Sequence, residues 1–265
     1  MVKAKKHLGQ NFLHDKDVLH AIVEAGEIKD TDTIIEVGPG EGFLTKELIK
    51  RAGKVIAIEK DRDLLPFLKL DFRKFKNFEL VEGDALRFTP PQGPYKVIAN
   101  IPYYITSPLL NHFLNEQITH GQPPELLVLM VQKEVAEKIV AKNKKHSLLS
   151  LEVQLFADVE LVRTVPAAAF HPRPRVDSAI IKIRALPKPR IEADLKKLFW
   201  LFHMSFAQKR KKLSNNLAAA LHQEPSQMRE ALESINIDPK IRAEDLSWEE
   251  WTKLYRQLLT LKLKN

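Results

Sequence analysis

Five short apolar runs separated by amphipathic stretches fill the chain from Ile34 to Met130, and that alternation restricts the fold more than any other feature. The runs are "TIIEV" (33–37), "KVIAIE" (54–59), "FELVEGD" (78–84), "YKVIAN" (95–100) and "ELLVLMV" (125–131). Rich in Val, Ile and Leu, they read as strands buried on both faces. Between them, Phe43-Leu44 with Leu48-Ile49, Leu64-Leu65 with Leu68, and Leu109-Leu110 with Phe113-Leu114 have helical spacing. A further helix is expected earlier, over 16–27, with Val18, Ile22 and Val23 as its apolar face. Strand–helix alternation predicts an α/β fold, a Rossmann-like and mostly parallel sheet with helices on both faces. "VELVRTV" (159–165) and "SAIIKIR" (178–184) have no helical segment between them, so they predict an antiparallel pair that finishes the sheet.

"LPKPR" (186–190) interrupts this pattern with two prolines, which favour an extended connection. The remainder reads as helical, over 194–203, 205–221 and 226–234. A last helix is announced by the capping box Ser247-Trp248-Glu249-Glu250. The expected division is residues 1–185 for the sheet domain and 186–265 for a small helical domain.

Composition narrows the class. At 265 residues, with 44% hydrophobic and 29% charged residues, the chain can bury a substantial core as a water-soluble protein. No window approaches the roughly 18 apolar residues of a membrane span, and the basic opening lacks the apolar stretch of a secretory signal. Cysteine is absent, which excludes disulfides, cysteine nucleophiles and thiolate metal sites and fits a cytoplasmic location. The net charge of +8 favours a polyanionic partner. Basic clusters stand at Lys3, Lys5 and Lys6, at Lys142, Lys144 and Lys145, at Arg173 and Arg175, and at Lys209, Arg210, Lys211 and Lys212, the last run expected on a helix.

"IIEVGPGEGFLTKEL" follows the first sheet strand and opens a helix. Gly38, Gly40 and Gly42 let the backbone turn tightly and approach a ligand beside a helix N-terminus. The spacing is G-x-G-x-G, and Phe43 stands where the dinucleotide fingerprint needs its third glycine. About 20 residues beyond the first glycine, Glu59 ends the next strand, where a carboxylate can accept from both ribose hydroxyls. Asp84, beside Ala85, ends the third and can accept from an adenine amine. Glycines, then Glu, then Asp on successive strand tips describe a nucleoside site without a pyrophosphate. S-adenosylmethionine is such a nucleoside. The fourth strand stops abruptly in "NIPYYI" (100–105), where Pro102 cannot donate to a ladder and stiffens the turn.

These motifs resemble the rRNA adenine N6,N6-dimethyltransferases, specifically the small-subunit branch. The resemblance is carried by "HLGQNFL" (7–13), "EVGPGEGFLT" (36–45), Glu59, "EGDAL" (82–86) and "NIPYYI" (100–105), extended by "QKEVAEKI" (132–139), "FHPRPRVDSAI" (170–180) and "FAQKRKKLSNNL" (206–217). It implies that Gln10, Asn11 and Leu13 close over S-adenosylmethionine, that Gly38 lies under its methionine part, and that Gly40 also binds the cofactor. Glu59 would hold the ribose, and Asp84 with Ala85 the adenine. Asn100 would face both cofactor and target base. The implied partner is small-subunit rRNA in an immature ribosomal subunit, dimethylated at two neighbouring adenosines near its 3′ end by a monomeric, cytoplasmic enzyme.

The chemistry is consistent with those residues. An adenine amine is a poor nucleophile because its lone pair is delocalised into the ring. Acceptors aimed at its two protons, the Asn100 side-chain carbonyl and a turn carbonyl beside it, would localise that pair. No metal is required. Tyr103 is expected on one face of the base and Phe170, in an exposed connection, on the other, with Tyr104 packed inward. Arg173, Arg175 and Lys209 to Lys212 are expected on RNA phosphates. Two other readings use the same motifs: a large-subunit dimethyltransferase of the antibiotic-resistance type, and a non-catalytic assembly or transcription factor.

Overall fold

The computed structural model describes residues 4, 5, 8–141 and 145–262. Lys3, Lys6, His7, Lys142 and Lys144, singled out above, lie outside the described residues. The chain divides into two compact units: one of residues 1–140 and 157–186, the other of 141–156 and 187–265.

The first unit opens with a two-residue strand β1 (Phe12–Leu13) and helix α1 (Lys16–Ala25). Asp15 caps α1 by accepting from the backbone N–H of Asp17 and Val18, and Val18, Leu19, Ile22 and Val23 form its buried stripe. There follow β2 (Thr33–Val37), α2 (Thr45–Ile49), β3 (Lys54–Glu59), α3 (Leu65–Phe72), β4 (Phe78–Glu82), β5 (Lys96–Asn100), α4 (Thr106–Leu110), α5 (Gln117–His120), β6 (Leu126–Gln132) and α6 (Lys133–Val140). After an excursion into the second unit come β7 (Ala157–Val165), β8 (Phe170–His171) and β9 (Ser178–Ala185).

The main sheet has seven strands in the order β4-β3-β2-β5-β6-β9-β7. β2 to β6 are parallel, and β9 alone runs against its neighbours, antiparallel to both β6 and β7. The fold is thus the α/β, mostly parallel one expected, and the antiparallel pair is β7 with β9. One detail differs. "FELVE" does not behave as a strand buried on both faces; it is the half-exposed edge strand β4. Its two acids, Glu79 and Glu82, are three apart and so fall on opposite faces, which a strand buried on both sides does not tolerate.

β2 has β3 on one side and β5 on the other, so the crossovers reverse direction beside it. In an open α/β sheet such a reversal leaves a crevice outside the carboxyl ends of the strands. The carboxyl ends of β2, β3, β4 and β5 all open toward it. Among the described residues, no helix is long and apolar enough to cross a membrane.

The second unit is helical: α7 (Leu148–Gln154), α8 (Leu195–Ser205), α9 (Leu213–Leu221), α10 (Pro225–Glu233) and α11 (Trp248–Lys262). Its centre holds Leu198, Phe202, Leu217 and Trp251, with the Phe202 and Trp251 rings edge to face at 4.9 Å. The capping box is formed reciprocally. Ser247 Oγ accepts from Glu250 N at 3.2 Å, and Glu250 Oε2 accepts from Ser247 N at 2.8 Å. Two expectations need correcting. The segment 141–156, placed on sequence in the sheet domain, folds with this unit, because α7 buries Leu151 and Val153 there and Arg190 Nε donates to the Gln154 carbonyl. The expected helix over 205–221 begins only at Leu213. Lys209 to Lys212 therefore lie exposed in the connection before α9, where Asn216 Nδ2 ties down the Ser205 and Gln208 carbonyls.

Candidate active site

One cavity, partly open to solvent, lies along the carboxyl ends of β2 to β5. Its floor is the turn after β2. Gly38 there has φ +67°, and a Cβ at that position would meet nothing within 4 Å, so the left-handed backbone alone calls for glycine. At Gly40, φ is +58° and a Cβ would stand 3.0 Å from the Phe12 ring, so this turn is also where β1 settles onto the site.

Glu59, at the end of β3, is 5% exposed. Its Oε1 accepts from Asp61 N at 2.7 Å and its Oε2 from Gly40 N at a long 3.4 Å. Burial raises its pKa above the usual carboxylate value, against the backbone donors of Asp61, Gly40 and Lys60. Asp84 follows β4 and caps the turn Ala85–Arg87 through Leu86 N. Its other oxygen pairs with Lys60 at 2.9 Å, and that ammonium holds its pKa down. Ala85 lines the wall beside it.

Asn100 ends β5. Its Nδ2 donates to the Asn11 carbonyl at 3.2 Å, while Oδ1 has no protein partner among the described residues and is left to the cavity. The amide is thereby oriented, with its accepting end outward. Pro102 precedes the turn Tyr103–Ile105. The Tyr103 hydroxyl is 2.6 Å from Ser178 Oγ, which fixes its ring at the cavity wall, and burial raises its pKa. Tyr104 corrects an expectation. It is 59% exposed at the cavity mouth, its ring beside Gly9, and not packed inward.

Gln10, Asn11 and Leu13 come from the N-terminal arm and line the same cavity. A residue that sequence reasoning missed anchors this arm. Asp61, 2% exposed, accepts from Gln10 Nε2 at 2.8 Å and from Lys5 Nζ at 2.5 Å. Burial works to raise the Asp61 pKa, but the Lys5 and Gln10 hydrogen bonds outweigh it and hold the value down. Its own N–H supports Glu59, so one residue joins arm and strand tip. Glu36 was missed as well. Wholly inside β2 and lining the cavity, it has Oε2 without a hydrogen-bond partner, and burial pushes its pKa up to about 8.

Phe170 departs from the sequence reading. It is 4% exposed and does not line the cavity. It sits in β8, whose register pairs Leu13 with Phe170 and Phe12 with His171. The arm covers the start of the connection at Phe170, while His171 and the residues from Arg175 to Asp177 stay exposed. Arg173 and Arg175 are exposed between β8 and β9, away from the cavity lining and with no ion pair among the described residues.

The family model for ribosomal RNA adenine dimethylases matches residues 1–261. The chain belongs to that family. Among curated dimethylase relatives, "Ribosomal RNA small subunit methyltransferase A" of Dehalococcoides mccartyi is 45% identical over 260 residues, 96% of this chain and 88% of the relative. The protein of the same name from Clostridium botulinum is 42% identical, over 95% and 93%. Two solved structures share the architecture of this chain. A dimethyladenosine transferase from Plasmodium falciparum superposes with a TM-score of 0.78 at 28% identity, covering 96% of this chain and 98% of that one. The 23S rRNA methyltransferase ErmE gives 0.76 at 29% identity, covering 94% and 99%.

Proposed function

We propose that this dimethylase transfers methyls from S-adenosylmethionine to N6 of two adjacent adenosines near the 3′ end of small-subunit (16S) rRNA, acting in the cytoplasm as a monomer on an immature subunit. The observation that carries the reading is the oriented amide of Asn100, its free Oδ1 in one cavity with Gly38, Glu59 and Asp84. The donor set suits the cofactor. An open-faced glycine turn follows β2, with the strand-end carboxylates Glu59 and Asp84 next to it in turn on β3 and β4, and Glu59 Oε2 is held by only a long backbone contact.

S-adenosylmethionine supplies a methyl group already activated on a sulfonium, so positioning carries much of the rate. Gly38 and Gly40 form the floor, Glu59 accepts from the ribose hydroxyls, and Asp84 beside Ala85 takes the adenine amine. Gln10, Asn11 and Leu13 close the arm over it. Asn100 Oδ1 accepts from the target N6–H, and Pro102 keeps the neighbouring turn stiff. Tyr103 offers one aromatic face to the base, and Tyr104, open at the mouth, is better placed than the buried Phe170 for a second contact. Arg173, Arg175 and, in the helical unit, Lys209 to Lys212 take rRNA phosphates.

Methylation of large-subunit rRNA is the second reading, favoured by the likeness to ErmE at 29% identity. The small-subunit relatives at 45% and 42% support the first more strongly. Mapping dimethyladenosine on rRNA from cells with and without this protein separates them. Loss of the paired small-subunit modification is expected on deletion; loss confined to large-subunit rRNA would overturn the proposal.

A further inference from the structure

Three of the seven large hydrophobic side chains exposed among the described residues fall within nine positions: Phe67 at 58%, Leu70 at 59% and Phe75 at 46%. Scattered exposed apolar residues are ordinary, but a cluster marks a contact surface. Phe67 and Leu70 are three apart on α3 and so share a face. Phe75 follows in the turn, where its N–H donates to the Phe72 carbonyl at 3.0 Å.

The platform beneath is fixed. Leu65, Leu68 and Phe72 are buried on the opposite side of the segment, and the Phe72 ring would stand 2.6 Å from a Cβ at Gly42. Interleaved with the apolar side chains are Lys69, Arg73, Lys74 and Lys76, all exposed and none in an ion pair among the described residues. Asp71 is the one acid within this stretch.

We infer that α3 and the turn after it form an RNA-docking surface, in which Phe67 and Phe75 stack on unpaired bases while the four cations take the flanking phosphates. Exposed rings alternating with unpaired cations are the pattern that unpaired RNA selects, since every base has a face to stack and every link a charge to neutralise. A second copy of the chain fits poorly. A two-fold contact through this face would set its excess positive charge against itself. This surface lies outside the cavity and is distinct from the phosphate contacts proposed above, but it rests on the reading of the chain as an rRNA methyltransferase.

The test uses the full-length protein and immature small subunits. Simultaneous Lys69→Ala, Arg73→Ala, Lys74→Ala and Lys76→Ala is expected to weaken binding at least tenfold and to lower the slope of log affinity against log salt by about 3. Phe67→Ser with Phe75→Ser is expected to cost about tenfold per ring that carries a base while leaving that slope unchanged. Both variants should bind S-adenosylhomocysteine as the native protein does, which shows that they are folded. A photo-crosslinker at position 67 should join rRNA. Unchanged affinity and slope, or crosslinks to a ribosomal protein alone, would overturn the inference. If the native protein itself fails to methylate the subunits, the functional reading fails instead, and the binding data still judge this surface.

Discussion

At the scale of single residues, function rests on how Asn100, Asp61 and Glu36 are held. The Asn100 amide is oriented by the Asn11 carbonyl, so its loss removes an acceptor from the reacting amine more than a grip on the cofactor. Asn100→Ala should lower kcat about 10²–10³-fold, with cofactor affinity changed only a few-fold by calorimetry. Asp61 touches neither ligand in this account; it anchors the arm through Lys5 and Gln10. Asp61→Asn should raise the KM for cofactor roughly tenfold and leave kcat nearly unchanged, whereas equal loss of both would assign it to the chemistry. Glu36 has a folded pKa raised to about 8, above its ordinary value of 4.5. The folded state thus binds the extra proton between those values, and the stability this residue allows at low pH is lost as pH rises toward 8. Urea unfolding of Glu36→Gln and native protein should show the native falling behind across that range, by on the order of a few kcal/mol. A pH-independent difference would contradict it. Glu59 and Asp84 were legible in sequence because strand ends announce them. Glu36 and Asp61 were not, since Thr45, Gln10 and Lys5 become their neighbours only through the fold.

Among the elements, the pairing of β1 with β8 was the least legible, because each is two residues long and carries no periodicity. "FHPRP" reads as an open proline-rich connection, yet the arm lies along it and buries Phe170. Phe170→Ala should therefore cost about 3 kcal/mol of unfolding free energy. A ring held out for a base would leave the urea midpoint where it was. The parallel strands, by contrast, were plain from their apolar runs, and α1 from its stripe. The start of the expected helix at 205 was misplaced and the segment 141–156 was assigned to the wrong unit, because the apolar spacing of a short segment did not say which core would receive it.

Across the whole molecule, the sequence's strand–helix alternation produces a sheet whose crossovers reverse beside β2, and that reversal gathers the ends of four strands into one cavity. The net charge of +8 is spread through both units, with cations that have no ion pair among the described residues exposed between β8 and β9, on and just after α3, and before α9. Neither the grouping of 141–156 with the helical unit nor the clustering of Phe67, Leu70 and Phe75 could be read from composition, since both depend on which side of a helix is buried. The central claim is that the cavity methylates small-subunit rRNA. Its most direct test is transfer of labelled methyl from S-adenosylmethionine by the purified protein to immature small and large subunits, with Asn100→Ala alongside. The account predicts four methyls per small subunit, found as two dimethyladenosines, and nearly none with the variant; no incorporation into small subunits by the native protein would contradict it.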